Sequence, residues 1–197
     1  ITPPSAAIAP PRAAESRKKA MPKNVPSINT HTWKRLCLLL CASLYLLSPL
    51  ASAKAAQPDI RIHAGGPQLV EASGKTWQAD QWHSGGFTYT SPNTVIGTLS
   101  PALYQTERAG SFTYHIPLET GSYRVTLHFA EIYFKTPGNR VFSVLAEGVE
   151  AVPPLDLAAA AGPNTALQKT FVLEVADGAL DLSFLPITEN AKLSALE

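Results

Sequence analysis

Two short stretches of the sequence place aromatic rings next to carboxylates and amides, at residues 102–108 and 127–134. Their aromatic and charged candidates are Tyr104, Glu107, Arg108, Glu131, Tyr133 and Phe134. Aromatic rings stack on the apolar C–H faces of sugars, while neighbouring polar groups bond the hydroxyls. A mostly apolar surface with a few aimed polar groups is typical of small-ligand sites. Both stretches therefore favour binding of a hydroxylated ligand.

The second stretch ends in three consecutive bulky residues, Ile132, Tyr133 and Phe134. Three adjacent bulky side chains cannot all face one core from a flat strand. We expect at least one of Tyr133 and Phe134 to be exposed, just before the turn signal at residues 136–138. An exposed pair of aromatic residues indicates a binding surface. The alternative is that both rings fold back into a secondary core.

Glu107 and Glu131 allow two interpretations. They can be the two carboxylates of a glycosidase, which requires a raised pKa on one of them and a set separation between them. Alternatively, a glutamate pairs with Arg108 or Arg140 and fixes the loops that carry the aromatic residues. The second interpretation is favoured here.

Alternating apolar residues predict the strands that position these side chains. Residues 112–116 and 123–129 alternate with a period of two, which is typical of half-buried strands. Two hairpins are expected, one through residues 117–121 and one through Asp177-Gly178. The one helical signal, at residues 155–161, is bounded by prolines and allows at most one turn. Many short strands punctuated by Gly and Pro predict an all-β sandwich or jelly roll.

Other catalytic patterns are missing from the sequence. It has no Gly-x-Ser-x-Gly turn, no His-Glu-x-x-His motif and no phosphate-binding glycine loop before a helix. No two histidines after Lys54 have metal-ligand spacing, and His115 and His128 are expected on a solvated strand face. Asp80 and Asp156 are interpreted as loop-capping residues. We expect no cofactor, and although a structural calcium ion suits sandwiches of this type, no acidic cluster indicates one.

The charge of the chain is divided between two parts. Seven Lys and Arg residues and one Glu precede Lys54, whereas nine basic and fourteen acidic residues follow from Lys54 onward, so the net charges are +6 and −5. Phosphate binding requires clustered Lys and Arg, and the acidic part has no such cluster. The composition therefore argues against a nucleic-acid partner.

The basic first part has the features of a secretory signal. Lys34-Arg35 precede an apolar run at residues 36–50, and small residues follow, with cleavage expected after Ala53 or Ala55. The run is interrupted by serine and proline and is shorter than the ~20 apolar residues that a membrane span needs. Both cysteines of the chain lie inside this segment, so the mature domain is expected to have no disulfide.

These features predict four segments. Residues 1–20 are interpreted as an upstream piece that is disordered or untranslated, because Met21 is the natural start. Residues 21–53 are the predicted signal peptide, residues 54–59 a linker and residues 60–197 one domain. We expect the mature protein to be secreted, periplasmic or attached to the cell surface, without a membrane segment after cleavage.

Five segments in order resemble the signature segments of malectin and malectin-like domains. They are residues 60–66, 103–108, 129–134, 140–144 and 190–196. The resemblance implies a jelly-roll β-sandwich of the galactose-binding-like kind. It also implies non-catalytic binding of oligosaccharides or polysaccharides that contain glucose.

The resemblance further implies which residues bind the sugar. By motif these are the loop aromatics and one late acid, namely Tyr89, Tyr104, Tyr133, Phe134 and Glu189, supported by Glu107, Arg108, Glu131 and Asn190. Phe87 is the alternative register for Tyr89. Two other functions stay open: a small jelly-roll glycoside hydrolase that uses Glu107 and Glu131, and a structural or adhesive surface domain that binds protein.

Overall fold

The computed structural model describes residues 59–197, and the predicted upstream segment, the signal peptide and both cysteines lie outside the described residues. The strands in chain order are β1 (Ile62–His63), β2 (Leu69–Val70), β3 (Thr76–Ala79), β4 (His83–Thr90), β5 (Thr106–Pro117), β6 (Gly121–Ala130), β7 (Val141–Ala146), β8 (Val149–Leu155), β9 (Ala166–Val175), β10 (Ala179–Thr188), β11 (Ala191–Leu193) and β12 (Ala195–Leu196). A 3-10 turn spans Pro101–Tyr104, and one α-helical turn, α1, spans Leu157–Ala160. No helix within residues 59–197 has the length and apolar character needed to cross a bilayer.

The strands form two sheets that pack as a sandwich. Sheet I has the order β2-β3-β1-β12-β6-β9, and sheet II has the order β11-β5-β10-β7-β8, with β4 paired to β5. The named strands pair antiparallel except β1 with β3. The prediction of an all-β jelly-roll sandwich is confirmed, and α1 is the single helical turn that the proline-bounded segment predicts.

The core between the sheets is built by the alternation visible in the sequence. Phe112 and Tyr114 of β5 point inward, as do Leu127 and Phe129 of β6. The Phe112 ring stacks on the ring of Phe184 from β10 with 4.4 Å between centroids. Burial of each such side chain contributes roughly 1.5–3 kcal/mol, so this alternation holds the two sheets together.

Both predicted hairpins are wrong, because each of those turns connects the two sheets. β5 lies in sheet II and β6 in sheet I, and β9 and β10 are divided in the same way. Three or four extended residues reach across the ~10 Å between packed sheets, so a short turn fits either connection. A two-residue hairpin does join β7 to β8, where Glu147 (φ 50°) and Gly148 (φ 73°) have the positive φ values of a type I′ turn.

The outer face of sheet I is covered by the segment at residues 91–104. Val95, Leu103 and Tyr104 from this segment pack with Trp77 of β3 and form a second, smaller apolar cluster. His128 of β6 points to this outer face, as its register predicts, but it is only 3% exposed. The expectation that His128 is solvated is therefore wrong, because the covering segment excludes water from it. His115 of β5 is exposed and pairs with Asp181 at 2.6 Å.

Candidate functional site

Three of the predicted aromatic residues form one open surface, which we call the aromatic patch: Tyr89, Tyr133 and Phe134. Tyr89 lies on β4, and the other two lie in the loop after β6. The ring centroids of Tyr89 and Tyr133 are 5.7 Å apart, and those of Tyr133 and Phe134 are 4.9 Å apart. Tyr133 is 57% exposed, which fulfils the expectation that at least one of Tyr133 and Phe134 is exposed.

A buried carboxylate shapes the loop that carries the patch. Oε1 of Glu131 accepts hydrogen bonds from the backbone N–H groups of both Tyr133 and Phe134, each at 3.0 Å. β6 ends at Ala130, and beyond it the N–H groups of Tyr133 and Phe134 bond to this carboxylate and not to a neighbouring strand. Because the carboxylate fixes the loop backbone directly after the strand, the Tyr133 ring projects into solvent and does not fold into the core.

Arg140 connects this loop to the turn that carries the predicted acid, Glu189. Its Nε donates to Oε2 of Glu131 at 2.7 Å, and one terminal nitrogen donates to the backbone oxygen of Asn190 at 2.6 Å. The same guanidinium lies 5.1 Å from the centroid of the Phe134 ring. Glu189 is exposed and has a positive φ of 55°. A single arginine thus joins the aromatic loop to the acidic turn.

Four buried charges, which we call the buried charge cluster, tie these parts together: Glu107, Glu131, Arg140 and Lys192. Lys192 forms an ion pair with Glu107, and its Nζ lies 3.8 Å from Oε1 of Glu131. Glu107 is opposite Tyr89 in the β4–β5 register. The cluster is neutral overall and links the strand of Tyr89 to the loop of Tyr133.

Burial and pairing act against each other on the pKa values of the cluster. Burial raises the pKa of Glu107 and lowers the pKa of Lys192, although their ion pair opposes both changes. Burial alone would raise the pKa of Glu131, but Lys192, Arg140 and the two loop N–H groups outweigh it and lower that pKa. Glu131 is therefore held as a carboxylate that anchors the loop.

Arg108 belongs to a different cluster from the one that the sequence suggests. It pairs with Asp80 at 2.7 Å, and it also donates to the backbone oxygen of Gly85. Asp80 accepts further hydrogen bonds from the Tyr114 hydroxyl and from the backbone of Gly65. These contacts position the start of β4, which carries Tyr89 at its other end.

Gly65 lies where two segments pass closely. Its φ is +73°, and a Cβ at this position would collide with the backbone carbonyl of Glu107. Only glycine fits this combination of positive φ and close approach. Asp156, the other predicted capping residue, accepts from the backbone N–H of Ala159 and so caps α1.

Tyr104 does not share the exposed surface of the patch, which corrects its predicted place in the binding platform. It is 2% exposed, and its hydroxyl lies 2.8 Å from Nδ1 of His128. Tyr104 ends the 3-10 turn that packs on the outer face of sheet I, and this turn draws its ring into the second apolar cluster. Tyr89 packs at the edge of the same cluster but stays half-buried.

Phe87, the alternative to Tyr89, lies two residues earlier on the same face of β4 and is 52% exposed. It extends the line of exposed rings along this strand. Tyr89 is in ring contact with Tyr133, which favours Tyr89 as the member of the patch.

Lys192 is a positioning residue that sequence reasoning missed. The available signal was a single charge among the small and apolar residues at positions 191–196, which form two buried strands. A lysine is almost never fully buried unless it is paired. Its partner could not be predicted from the sequence, because Glu107 lies far earlier in the chain, on β5, which pairs with β11 only in the folded structure.

The geometry does not present Glu107 and Glu131 as a catalytic pair. Each is 1% exposed, and both are engaged by the cations of the buried charge cluster. A glycosidase needs carboxylates that flank the scissile bond of its substrate. Within residues 59–197, no three His, Cys, Asp or Glu side chains are grouped so that they could hold a metal ion.

The two-sheet fold defines the class of this protein: it is an all-β sandwich domain. The profile of the malectin-domain family matches residues 59–195. The chain is also 30% identical over 141 residues to Malectin-B of Xenopus laevis, covering 68% of this chain and 51% of that protein. The chain therefore belongs to the malectin-domain family, and it spans about half the length of the Xenopus relatives it matches.

Solved structures share the fold at lower sequence identity. Bacteroides uniformis beta-glucuronidase aligns with a TM-score of 0.63 and 21% identity, covering 70% of this chain and 17% of that one. The ANX2 ectodomain from Arabidopsis thaliana aligns with a TM-score of 0.63 and 20% identity, covering 70% of this chain and 48% of that one. At these identities the likeness shows the fold alone.

Proposed function

We propose that this chain is an exported, non-catalytic module that binds glucose-containing oligosaccharides through Tyr89, Tyr133 and Phe134, with Glu189 accepting hydrogen bonds from sugar hydroxyls. The observation that carries the proposal is the contact of the three rings in one solvent-open surface. An exposed group of adjacent aromatic rings costs free energy in water unless a ligand covers it.

The angles between the rings favour a short oligosaccharide over a flat polysaccharide surface. Tyr89 and Tyr133 are inclined at 78°, and Tyr133 and Phe134 at 84°. Rings that stand nearly perpendicular form a corner, in which one pyranose stacks on one ring face and meets the edge of the next. A crystalline polysaccharide would instead require coplanar rings.

The polar groups of the proposed site suit a neutral ligand. The hydroxyls of Tyr89 and Tyr133 can donate and accept, and Glu189, whose side chain is exposed, is proposed to accept from sugar hydroxyls. Binding of one short sugar is expected to be weak. Attachment to other domains or repeated modules would strengthen it through effective concentration.

Burial of Glu107 and Glu131 supports a binding role without hydrolysis. Both carboxylates hold the loop and the strand under the patch, and neither reaches a substrate in the solvent. The glycoside hydrolase alternative would need one of them to move out of its ion pair. No single observation favours the adhesive alternative, in which the partner is a protein.

The experiment is a calorimetric titration of the full chain with maltose and with longer gluco-oligosaccharides. Tyr133→Ala is expected to weaken binding about tenfold or more, because it removes one ring of the stacking corner. Val172→Ala, an exposed apolar residue of β9, is the matched control and should bind like the wild type. Phe87→Ala tests whether Tyr89 or Phe87 belongs to the sugar site. We expect it to weaken sugar binding less than Tyr89→Ala does.

Three results would contradict parts of the proposal. Sugar binding that survives Tyr133→Ala would remove the patch as the site and favour a protein partner. Release of shorter sugars during incubation would establish hydrolysis. For export, the amino terminus of the protein recovered from the cell exterior should be Lys54 or Ala56, and an uncleaved amino terminus would contradict it.

A further inference from the structure

A cleft of about 490 Å³ opens on the outer face of sheet I, and none of its lining residues belongs to the aromatic patch. We call it the outer-face cleft. The residues that matter for its chemistry are Lys75, Trp77, Leu99, His128, Gln168 and Glu197. Its volume falls within the roughly 300–1,000 Å³ of small-molecule sites.

His128, which lines this cleft, has a polar atom without a partner. Its Nε2 is buried without a hydrogen-bond partner among residues 59–197, and it lies 3.7 Å from Oε1 of Glu197, too far for a direct bond. Its Nδ1 lies 2.8 Å from the Tyr104 hydroxyl, which also accepts from Gln168 at 3.4 Å. Nε2 is therefore the ring nitrogen left to bond a ligand, as donor or acceptor according to the tautomer.

A buried ring nitrogen without a hydrogen-bond partner is unfavourable. Leaving such a group unsatisfied costs about 1–3 kcal/mol, and a ligand hydroxyl that bonds Nε2 would recover it. Burial lowers the pKa of His128 to about 4, so the ring is neutral near pH 7.

Donors engage both carboxylates of the cleft. The Glu197 carboxylate accepts from Arg61 at 3.1 Å and from Lys75 at 3.0 Å. Glu71 accepts from the indole N–H of Trp77 at 2.7 Å. The lining has these two carboxylates and one ammonium, that of Lys75, so the cleft suits a neutral hydroxylated ligand better than an anion.

Apolar surface lies beside these polar groups. Leu99 is fully exposed at the rim of the cleft, and the Trp77 ring is buried in its wall. Carboxylate acceptors, amine and amide donors and an aliphatic side chain together match the alternating hydroxyl and C–H surface of a pyranose.

We propose that the outer-face cleft is a second saccharide site, which binds one unit of a neutral sugar independently of the aromatic patch. Lys75 and Gln168 donate to the sugar, one sugar hydroxyl bonds Nε2 of His128, the carboxylates of Glu71 and Glu197 accept from other hydroxyls, and Leu99 packs on the C–H face. The module therefore has two sites for one class of ligand, at separate places on the sandwich.

The test is a titration of the full, ¹⁵N-labelled chain with D-glucose and with maltose, observed through the indole N–H signals. Trp77 reports on the cleft because its N–H is bonded to Glu71, and its signal is assigned with Trp77→Phe. The Trp77 signal is expected to shift in a saturable way, both in the wild type and in Tyr133→Ala. In the double variant Leu99→Ala, Gln168→Ala the midpoint should rise about tenfold. Both replaced side chains are exposed, so the variant keeps the fold.

Each other result overturns the second site. A Trp77 signal that stays still in the wild type shows that no sugar enters the cleft. A shift that disappears in Tyr133→Ala shows that it came from the patch. A midpoint unchanged in the double variant shows that Leu99 and Gln168 do not contact the sugar. The backbone signals of Tyr133 and Phe134 follow the patch in the same spectra, so failure of the cleft and failure of the patch are read separately.

Discussion

The aromatic patch and the outer-face cleft hold tyrosines in opposite surroundings. Tyr133 and Tyr104 come from similar aromatic and carboxylate stretches, yet the first is 57% exposed and the second 2%. The difference lies in the backbone that carries each ring. A carboxylate fixes the loop of Tyr133 so that the ring leaves the sheet, whereas a 3-10 turn folds Tyr104 onto the sheet. Whether the aromatic residue of such a stretch is exposed or buried therefore depends on the loop or turn that carries it.

The charges behind the two regions differ in the same way. The patch rests on charges that are buried and paired with one another, whereas Lys75 and Glu197 at the cleft are partly exposed. Breaking a buried pair leaves a charge without solvent or partner, while a partly exposed pair is replaced by water. The patch is thus expected to be rigid, and the cleft to depend little on its ion pairs for folding.

The largest expected effect is that of Lys192→Met. The variant leaves Glu107 buried without its cation, so the free energy of unfolding should fall by about 3–5 kcal/mol. Urea denaturation of the full chain measures this change. The double variant Glu107→Gln, Lys192→Met removes both charges and should recover a large part of the loss.

Lys75→Met is the matched control at the cleft. Its ammonium pairs with Glu197 at 3.0 Å, but the lysine side chain is 35% exposed, so the loss should stay below about 1 kcal/mol. Equal losses in Lys75→Met and Lys192→Met would contradict the contrast between the two regions. A double variant no more stable than Lys192→Met would show that packing, and not charge, dominates at Lys192.

The second-largest expected effect is a loss of stability in acid, caused by His128 at the outer-face cleft. The pKa of His128 is lowered from 6.5 to about 4 in the folded chain, mainly by burial. The unfolded chain therefore takes up the proton first as the pH falls. The free energy of unfolding should decrease between about pH 6.5 and pH 4, by an amount on the order of 3 kcal/mol, and should not change through His128 above this window.

Denaturation at several pH values in the wild type and in His128→Gln isolates this contribution, because the variant lacks the group. His63, whose pKa burial also lowers, acts in the same direction in both proteins and cancels in the comparison. Glu131 and Glu197 have lowered pKa values, so their contributions are lost below about pH 4.5. Parallel profiles of wild type and His128→Gln would contradict the burial of a neutral imidazole.

The strands could be predicted from the sequence because alternation is a local property. The patterns at residues 112–116 and 123–129 each show which side chains face a core, and the structure confirms them. Alternation does not show which strand is the neighbour. For this reason both sheet-to-sheet turns were predicted as hairpins, since a short turn with a Gly fits either connection.

The candidate site could be predicted only in part, for a related reason. Exposure of at least one of Tyr133 and Phe134 follows from three bulky residues in a row, which is a local property. Burial of Tyr104 and His128 depends on the segment at residues 91–104, which has no regular period and folds over a distant strand. The partner of Lys192 likewise lies far along the chain. Contacts made by irregular segments and by single buried charges leave no repeating pattern to detect.

The smallest expected effect on stability is that of Arg140→Lys. This variant tests whether the geometry of the aromatic patch affects sugar binding separately from the stability of the fold. Arg140→Lys keeps a positive charge beside Glu131 but cannot also donate to the backbone oxygen of Asn190 as the arginine does. The free energy of unfolding should fall by about 1 kcal/mol, the contribution of one hydrogen bond. Maltose binding measured by calorimetry should weaken several-fold, because the acidic turn is no longer tied to the aromatic loop. Arg124→Lys, an exposed arginine on β6, is the control and should change neither quantity. Unchanged binding in Arg140→Lys would mean that the turn of Glu189 takes no part in the patch, and the site would then consist of the rings alone.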